Sequence, residues 1–511
     1  LEPSYGDVPN FDFAADYFVL LFPKIFCGRD CHQRPERLNY DKRGGLEMAN
    51  SCTANKPIAL RPYLELDVGQ KLQNFRTVPL SLGTGNVKAF LSVYSANYDI
   101  DASYEMFCYP TDTFKMMVYT AKGEILWRRD LGGGVCPGTA FSTFYAFDLD
   151  QDGVDEIWLV NNLDPIHPFN YNQFVLERVD ALTGVTTGQW PWPKTDINQY
   201  FGEFFRCHIF GAYVKDEPVL LTVQGTYGLM QFQAWKPDLT LRWAKTITKE
   251  EAGARGGHNY PVLDINNDGI DEFLWGERCI EVNTGCEIFC ADRATWRGHS
   301  DMVQPFPDPA TGRWLFWVIR ESFEELAPRI ILYNDRGERV WSALDYGHIH
   351  KGWVGRIGAQ GGLIATAVRI ESQTKTLEGR YYTGISEFAF DALTGEPVKL
   401  SFSIADTAPV DLNGDGRHEI VSGMIGGDAE VIDRKGNLIQ KIGGRVALCS
   451  KIVDHPGEQL LTYYPDGNIK IWVDGNAVDS PAALKRYANR FYVVNRRFPT
   501  KESIMCILGG I

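Results

Sequence analysis

The sequence predicts an all-β protein, a single β-propeller of eight blades, and three observations carry that prediction. Short apolar strands separated by turns run through most of the chain, with no long amphipathic helical pattern. Hairpin turns stand at Ala121-Lys122-Gly123, Leu182-Thr183-Gly184, Lys236-Pro237-Asp238, Asn283-Thr284-Gly285, Asp335-Arg336-Gly337, Leu393-Thr394-Gly395, Arg434-Lys435-Gly436 and Asp474-Gly475-Asn476. They recur roughly 40 to 60 residues apart, a period that suits one four-stranded blade. An acidic loop motif also appears three times between apolar strands. Eight turns suggest eight blades; seven is the alternative if the last hairpin completes a blade begun at the N-terminus.

In chain order, residues 1 to 60 read as an irregular segment packed on the propeller, with Cys27 and Cys31 a close pair among eleven cysteines. Residues 61 to 511 read as the propeller domain, because no linker-like or low-complexity stretch divides them. The longest apolar run, Tyr17 to Phe26, is broken by Pro23 and Lys24 and is too short to span a bilayer. With 44% hydrophobic and 13% aromatic residues the chain can bury a large core. A net charge of −14 argues against a nucleic-acid partner. It leaves an anionic substrate open, since local basic groups can override the global sign. A start at Leu1-Glu2 without a leader pattern, together with calcium-type loops and many aromatics, points to a processed protein that is secreted or periplasmic. A monomer without a membrane partner is expected.

The acidic loops have a mechanism. Oxygen side chains at positions 1, 3 and 5, with Gly at 6 for the sharp turn, can wrap a hard cation such as calcium. The sets are Asp148, Asp150, Asp152 and Glu156; Asp264, Asn266, Asp268 and Glu272; and Asp411, Asn413, Asp415 and Glu419. The acid three places after the Gly replaces the distant Glu of a helix-loop-helix hand, so these are short connections within a sheet. Their expected role is structural.

Propeller geometry then sorts the remaining polar residues. If the acidic loops join the first and second strands of a blade, the second-to-third connections and the crossings between blades lie on the opposite face. Those segments hold six of the nine histidines: His167, His208, His258, His299, His348 and His350. Arg255, Arg320, Tyr227, Glu321 and Lys351 join them, so this face is read as the functional one.

Two constellations stand on it. His258, Cys279, Cys290 and His299 make a donor set suited to a structural zinc ion, the alternative being a Cys279–Cys290 disulfide or buried free thiols. His208, Tyr227, Arg255, Arg320 and His348 form a catalytic set, with His167, Glu321, His350 and Lys351 as substrate-binding residues. Arg, His and Tyr together suit elimination across a uronic acid. Arg neutralises the carboxylate, which acidifies the neighbouring C–H, and His, Tyr or Lys transfers the proton. A hydrolase would want paired carboxylates instead, for which Asp301 and Glu321 are the candidates.

The ordered motifs resemble the bacterial rhamnogalacturonan lyases built on an eight-bladed propeller. The order is an acidic loop between strands, Gly298-His299-Ser300-Asp301, Arg320-Glu321, the turn from Asp335 to Trp341, then a Gly-rich crossing. The ulvan lyases are a second relative. The resemblance implies β-elimination on a polysaccharide of rhamnose and uronic acid, with calcium in the loops and near the substrate. It also matches His258 and His299 to family positions that look like metal ligands, while Cys279 and Cys290 are a departure that favours a softer metal. The expectation is therefore a polysaccharide lyase on an anionic polysaccharide. A non-catalytic calcium-binding propeller that binds glycans or proteins, and a glycoside hydrolase, are the alternatives.

Overall fold

The computed structural model describes residues 56–83, 88–98, 100, 110–139, 141–168, 170–194, 206–321, 328–376, 379–424, 427–498 and 507–511. Cys27, Cys31 and the rest of the first 55 residues lie outside them. The described residues build eight four-stranded antiparallel sheets. Seven follow in chain order, over residues 74–130, 144–191, 207–247, 262–290, 300–343, 349–391 and 407–441. The eighth joins Arg445–Ser450, Gln459–Tyr463 and Asn468–Asp474 to Leu60–Asp67, which pairs antiparallel with Asn468–Asp474. The ring thus closes by returning its last three strands to its first, and residue 60 belongs to the propeller rather than to the segment before it.

Within a sheet, burial falls from the hub outwards. The innermost strand of the second sheet, Phe144–Phe147, is buried throughout, whereas its outermost strand, Thr186–Pro191, has no buried residue. Neighbouring sheets are stapled by an outer-strand Trp. Trp127, Trp243 and Trp341 donate their indole N–H to the carbonyls of Ala181, Val282 and Ala392 at 2.8, 2.8 and 3.0 Å. Each indole covers the turn glycine of the next sheet. At Gly184, Gly285 and Gly395 a Cβ would sit 2.8 Å or less from the ring, and φ is positive at all three. The recurrent Thr-Gly turn is therefore a packing requirement as well as a bend.

Two short helices lie near the C-terminal end. The first, α1 (Pro481–Tyr487), starts at Ser480, whose hydroxyl accepts from the Ala483 N–H; the second, α2 (Arg490–Asn495), is capped by Asn489. Arg486 pairs with Asp411 at 2.8 Å, Arg490 with Asp271 at 2.9 Å and Arg497 with Asp155 at 2.5 Å. Asn495 bonds both backbone groups of Val262, and Phe498 packs on Tyr145, Phe210 and Tyr260. These partners belong to, or immediately flank, the second, third, fourth and seventh sheets, so the helices and the residues just after them tie the sheets together on the acidic-loop face. No described helix is long and apolar enough to cross a membrane.

Candidate functional site

The acidic loops do join first and second strands, and the histidine-bearing segments leave the sheets at the opposite end. There the third to sixth sheets bring together Tyr227, His258, His299, Asp301, Glu321, His348 and His350. Glu321 is the centre. One of its carboxylate oxygens, Oε2, lies 2.6 Å from His299 Nε2 and 3.6 Å from His258 Nε2. The other, Oε1, lies 3.0 Å from His348 Nε2 and 3.1 Å from His350 Nδ1. Asp301 completes the group, with Oδ1 2.9 Å from His258 Nδ1 and Oδ2 3.3 Å from His350 Nδ1. Burial pushes the Glu321 carboxyl up, but hydrogen bonds with Asp301, His299, His348 and His350 outweigh it and hold the group well below the usual carboxylate range. Glu321 is thus an anion among imidazoles.

Two β-bulges aim this site. The register of the fifth sheet passes from Ser300↔Arg320 to Met302↔Ile319, leaving Asp301 as the extra residue. In the sixth sheet it passes from Ile349↔Arg369 to Lys351↔Val368, leaving His350 as the extra residue. Each bulge lies at the start of the innermost described strand of its sheet and turns a side chain towards the other.

Tyr227 borders the cluster on a strained turn. Its φ is +78°, rarely adopted by a bulky side chain. The turn is fixed by the Tyr227 N–H on the Arg255 carbonyl at 3.0 Å and the Gly225 N–H on the Arg206 carbonyl at 2.7 Å. So held, the phenol oxygen lies 2.9 Å from His258 Nε2, and its ring centroid is 4.4 Å from that of His299. Arg206 stacks its guanidinium 4.9 Å above the Tyr227 ring. Arg206 is outside the expected site set and Asp301 is expected there only as a hydrolase carboxylate, although both stand in sequence segments that point to the site: the Arg206-Cys207-His208 crossing and the Gly-His-x-Asp motif.

Several expected residues act elsewhere. Arg320 is a correction: its side chain is 1% exposed and does not face the cluster. It bonds Glu277 at 2.7 Å, Asp292 at 2.9 Å and the Tyr333 hydroxyl at 2.8 Å, and it lies 4.1 Å above the Trp296 ring. The reason is alternation along the strand, since Arg320 and Glu321 point to opposite sides. His208 is buried edge-on against Tyr260 and Trp275, with Nε2 3.3 Å from the Thr226 hydroxyl, and so supports the Tyr227 turn from behind. Arg255 braces that turn through its backbone, and its guanidinium donates to the Lys249 carbonyl at 3.1 Å. Lys351 lies over the Tyr382 ring at 4.5 Å. His167 is an exposed loop residue of the second sheet.

The zinc set of His258, Cys279, Cys290 and His299 is also corrected. Cys279 pairs across its hairpin with Phe289, and Cys290 with Arg278, so the two thiols leave opposite faces of the sheet. They form neither a disulfide nor half of a tetrahedral site. Both are free thiols, and burial pushes both up. The donors that do gather with His258 and His299 are Asp301 and Glu321, with ligand atoms all within 4.8 Å of one another. This mixed nitrogen and oxygen set fits a divalent cation.

The acidic loops share one scaffold. Asp148, Asp264 and Asp411 accept from the N–H of Gly153, Gly269 and Gly416 at 3.0, 2.9 and 2.9 Å. Glu156, Glu272 and Glu419 accept from the second loop residue, Leu149, Ile265 and Leu412. In the first loop, oxygens of Asp148, Asp150 and Glu156 lie within 4.8 Å of one another, a fit for calcium. The second repeats the same bonds. The third differs: Arg434 stands 3.3 Å from Asp415 and 3.9 Å from Glu419, and Arg486 holds Asp411, so the chain itself supplies positive charge there.

Burial lifts Glu156 and Glu272 from the ordinary 4.5 to about 8, with neighbouring carboxylates adding to the rise. A raised folded-state pKa gives stability that is full below the unfolded value and is lost as pH rises through the folded one. Without a cation, stability is therefore expected to fall between pH 4.5 and about 8 as each group ionises beside the other carboxylates of its own loop. A bound cation should cancel that loss. Thermal melts in chelator and in calcium should diverge more at the alkaline end of this window than at the acid end. A gap independent of pH would remove cations from these two loops.

No protein-family model matches the chain. In sequence it is similar to rhamnogalacturonan exolyase YesX of Bacillus subtilis (strain 168), 24% identical over 216 residues, covering 36% of this chain and 34% of that protein. It is also similar to rhamnogalacturonan endolyase YesW of the same organism, 23% identical over 285 residues and covering 45% of each. The chain spans less than half the length of these curated relatives. Among solved structures, exotype rhamnogalacturonan lyase YesX superposes with a TM-score of 0.66 at 16% identity, over 86% of this chain and 80% of that one. The Bacillus licheniformis rhamnogalacturonan lyase PL11 gives 0.64 at 15%, over 89% and 82%. The likeness to rhamnogalacturonan lyases that the ordered motifs suggest is thus met in sequence, and the shared fold extends over most of the chain.

Proposed function

We propose that the chain is a polysaccharide lyase that cleaves a rhamnose-rich, uronic-acid-containing glycan by β-elimination. The observation that carries this reading is the convergence of Tyr227, four histidines and two carboxylates on the face opposite the acidic loops. Relatives named as rhamnogalacturonan lyases support the substrate class.

With Arg320 turned into the protein, the positive charge facing a uronate has to come from another source. His258, His299, Asp301 and Glu321 would hold a divalent cation, which would supply charge neutralisation of the substrate carboxylate. Tyr227 is the proton-transfer residue. Its strained turn fixes the hydroxyl 2.9 Å from His258 Nε2, and the Arg206 guanidinium over the ring favours the phenolate, which takes the proton beside the substrate carboxylate and returns it to the departing glycosidic oxygen. Asp301 and Glu321 are both engaged by histidines, which leaves neither as the free acid that a hydrolase needs. Calcium in the first two acidic loops would be structural. A glycan of this kind is met outside the cell, so the working location is secreted or periplasmic, with the chain acting as a monomer.

Mixing the protein with a panel of plant and algal uronic polysaccharides tests the reading. New ultraviolet absorbance from unsaturated uronate ends is expected; reducing ends without that absorbance would indicate a hydrolase, and retention without cleavage a binding protein. Tyr227→Phe is expected to lower kcat by roughly 100-fold with KM little changed, because it removes only the proton carrier. Unaltered kcat would exclude the hydroxyl from the reaction.

A further inference from the structure

Glu321 and the five donors around it do not form one ligand set. They form two: His258, His299, Asp301 and Glu321, and separately Glu321, His348 and His350, each with ligand atoms within 4.8 Å of one another. That spacing is near the widest that two ligands of one ion can have at bond lengths of roughly 2.0–2.4 Å. Glu321 is common to both, with Oε2 on the His258 and His299 side and Oε1 on the His348 and His350 side. Asp301 repeats the division, with Oδ1 towards His258 and Oδ2 towards His350.

We propose that this cluster binds two divalent cations side by side, with Glu321 bridging them. The first ion takes His258, His299 and Asp301; the second takes His348 and His350. Two imidazoles on each side make both positions suited to zinc or a similar borderline ion, in contrast to the oxygen-only acidic loops, which suit calcium. Among the described residues the second position has three protein donors, Glu321, His348 and His350. Both bulges serve this arrangement, because without them Asp301 and His350 would follow the ordinary alternation of their strands.

Zinc content measures the proposal directly. Protein saturated with calcium to fill the loops is titrated with zinc, dialysed and analysed by elemental mass spectrometry. Two zinc ions per chain are expected, one in the His348→Ala/His350→Ala variant and one in the His258→Ala/His299→Ala variant. One or none in the unmodified protein overturns the two-ion centre. Should either variant fail to fold, zinc-edge anomalous diffraction from the unmodified protein decides: two peaks roughly 3.5–4 Å apart support it, and a single peak rejects it. The ion count stands apart from the lyase reading. Two ions in a protein that cleaves no uronic glycan would remove the function and keep the centre; one ion in an active lyase would do the reverse.

Discussion

Glu321→Gln is expected to lower turnover on a uronic glycan at least ~100-fold, equivalent to ~2.7 kcal/mol of transition-state stabilisation. Glutamine keeps the size of the side chain and removes its charge. In the folded protein that charge faces His299 at 2.6 Å, His348 at 3.0 Å and His350 at 3.1 Å. An amide in its place turns an N–H towards at least one of these nitrogens and cannot serve two of them as an anion does. Every cation position in the cluster uses this carboxylate, so loss of divalent-ion binding should accompany loss of activity. Steady-state kinetics alongside metal analysis reads both. A variant with near-normal kcat would show that the cluster is not the reaction centre.

Arg320→Ala is expected to act on stability, at ~3–5 kcal/mol, the cost of stripping one partner from a buried ion pair. Its guanidinium lies between Glu277, whose side chain is fully buried, and Asp292, which also holds Arg339 and the Tyr333 hydroxyl. Removal leaves Glu277, among the described residues, with the Ser300 hydroxyl as its hydrogen-bond partner. Arg320→Lys keeps the charge but not the fork that bonds Glu277, Asp292 and the Pro328 carbonyl together, so it should recover part of the loss. Denaturant unfolding of both variants gives the measurement. An Ala variant with unchanged stability and a tenfold lower kcat would return Arg320 to the substrate side.

The pair Arg320-Glu321 shows where sequence reasoning stops. Arg320 ends its strand and Glu321 begins the connection that follows, on one face, and that placement follows from counting strands. Alternation then sends only one of two neighbours into the site, and nothing local to the pair decides which. The Cys279 and Cys290 thiols pose the same problem across a hairpin, where a register one residue different would have put them on one face. At Asp301 and His350 alternation itself is suspended by bulges, which leave no composition signal in these segments. Tyr227 was accessible as a residue type, but its left-handed backbone needs the carbonyl of Arg255, from the next sheet, to hold it. The third acidic loop matches its motif as well as the other two, yet Arg434, from a turn further along the chain, stands against it.

What the sequence determined is whatever depends on near neighbours: strands from period-two patterning, turns from Gly and Asn chemistry, acidic loops from oxygen spacing, and hence a propeller with six of its nine histidines on one face. Tertiary structure alone decided which of those side chains meet. That choice rests on register, bulges and contacts between sheets, where partners hundreds of residues apart in sequence, such as Arg497 and Asp155, are a few ångströms apart in space. Such pairings are fixed by packing around the whole ring, and no short window of residues carries them.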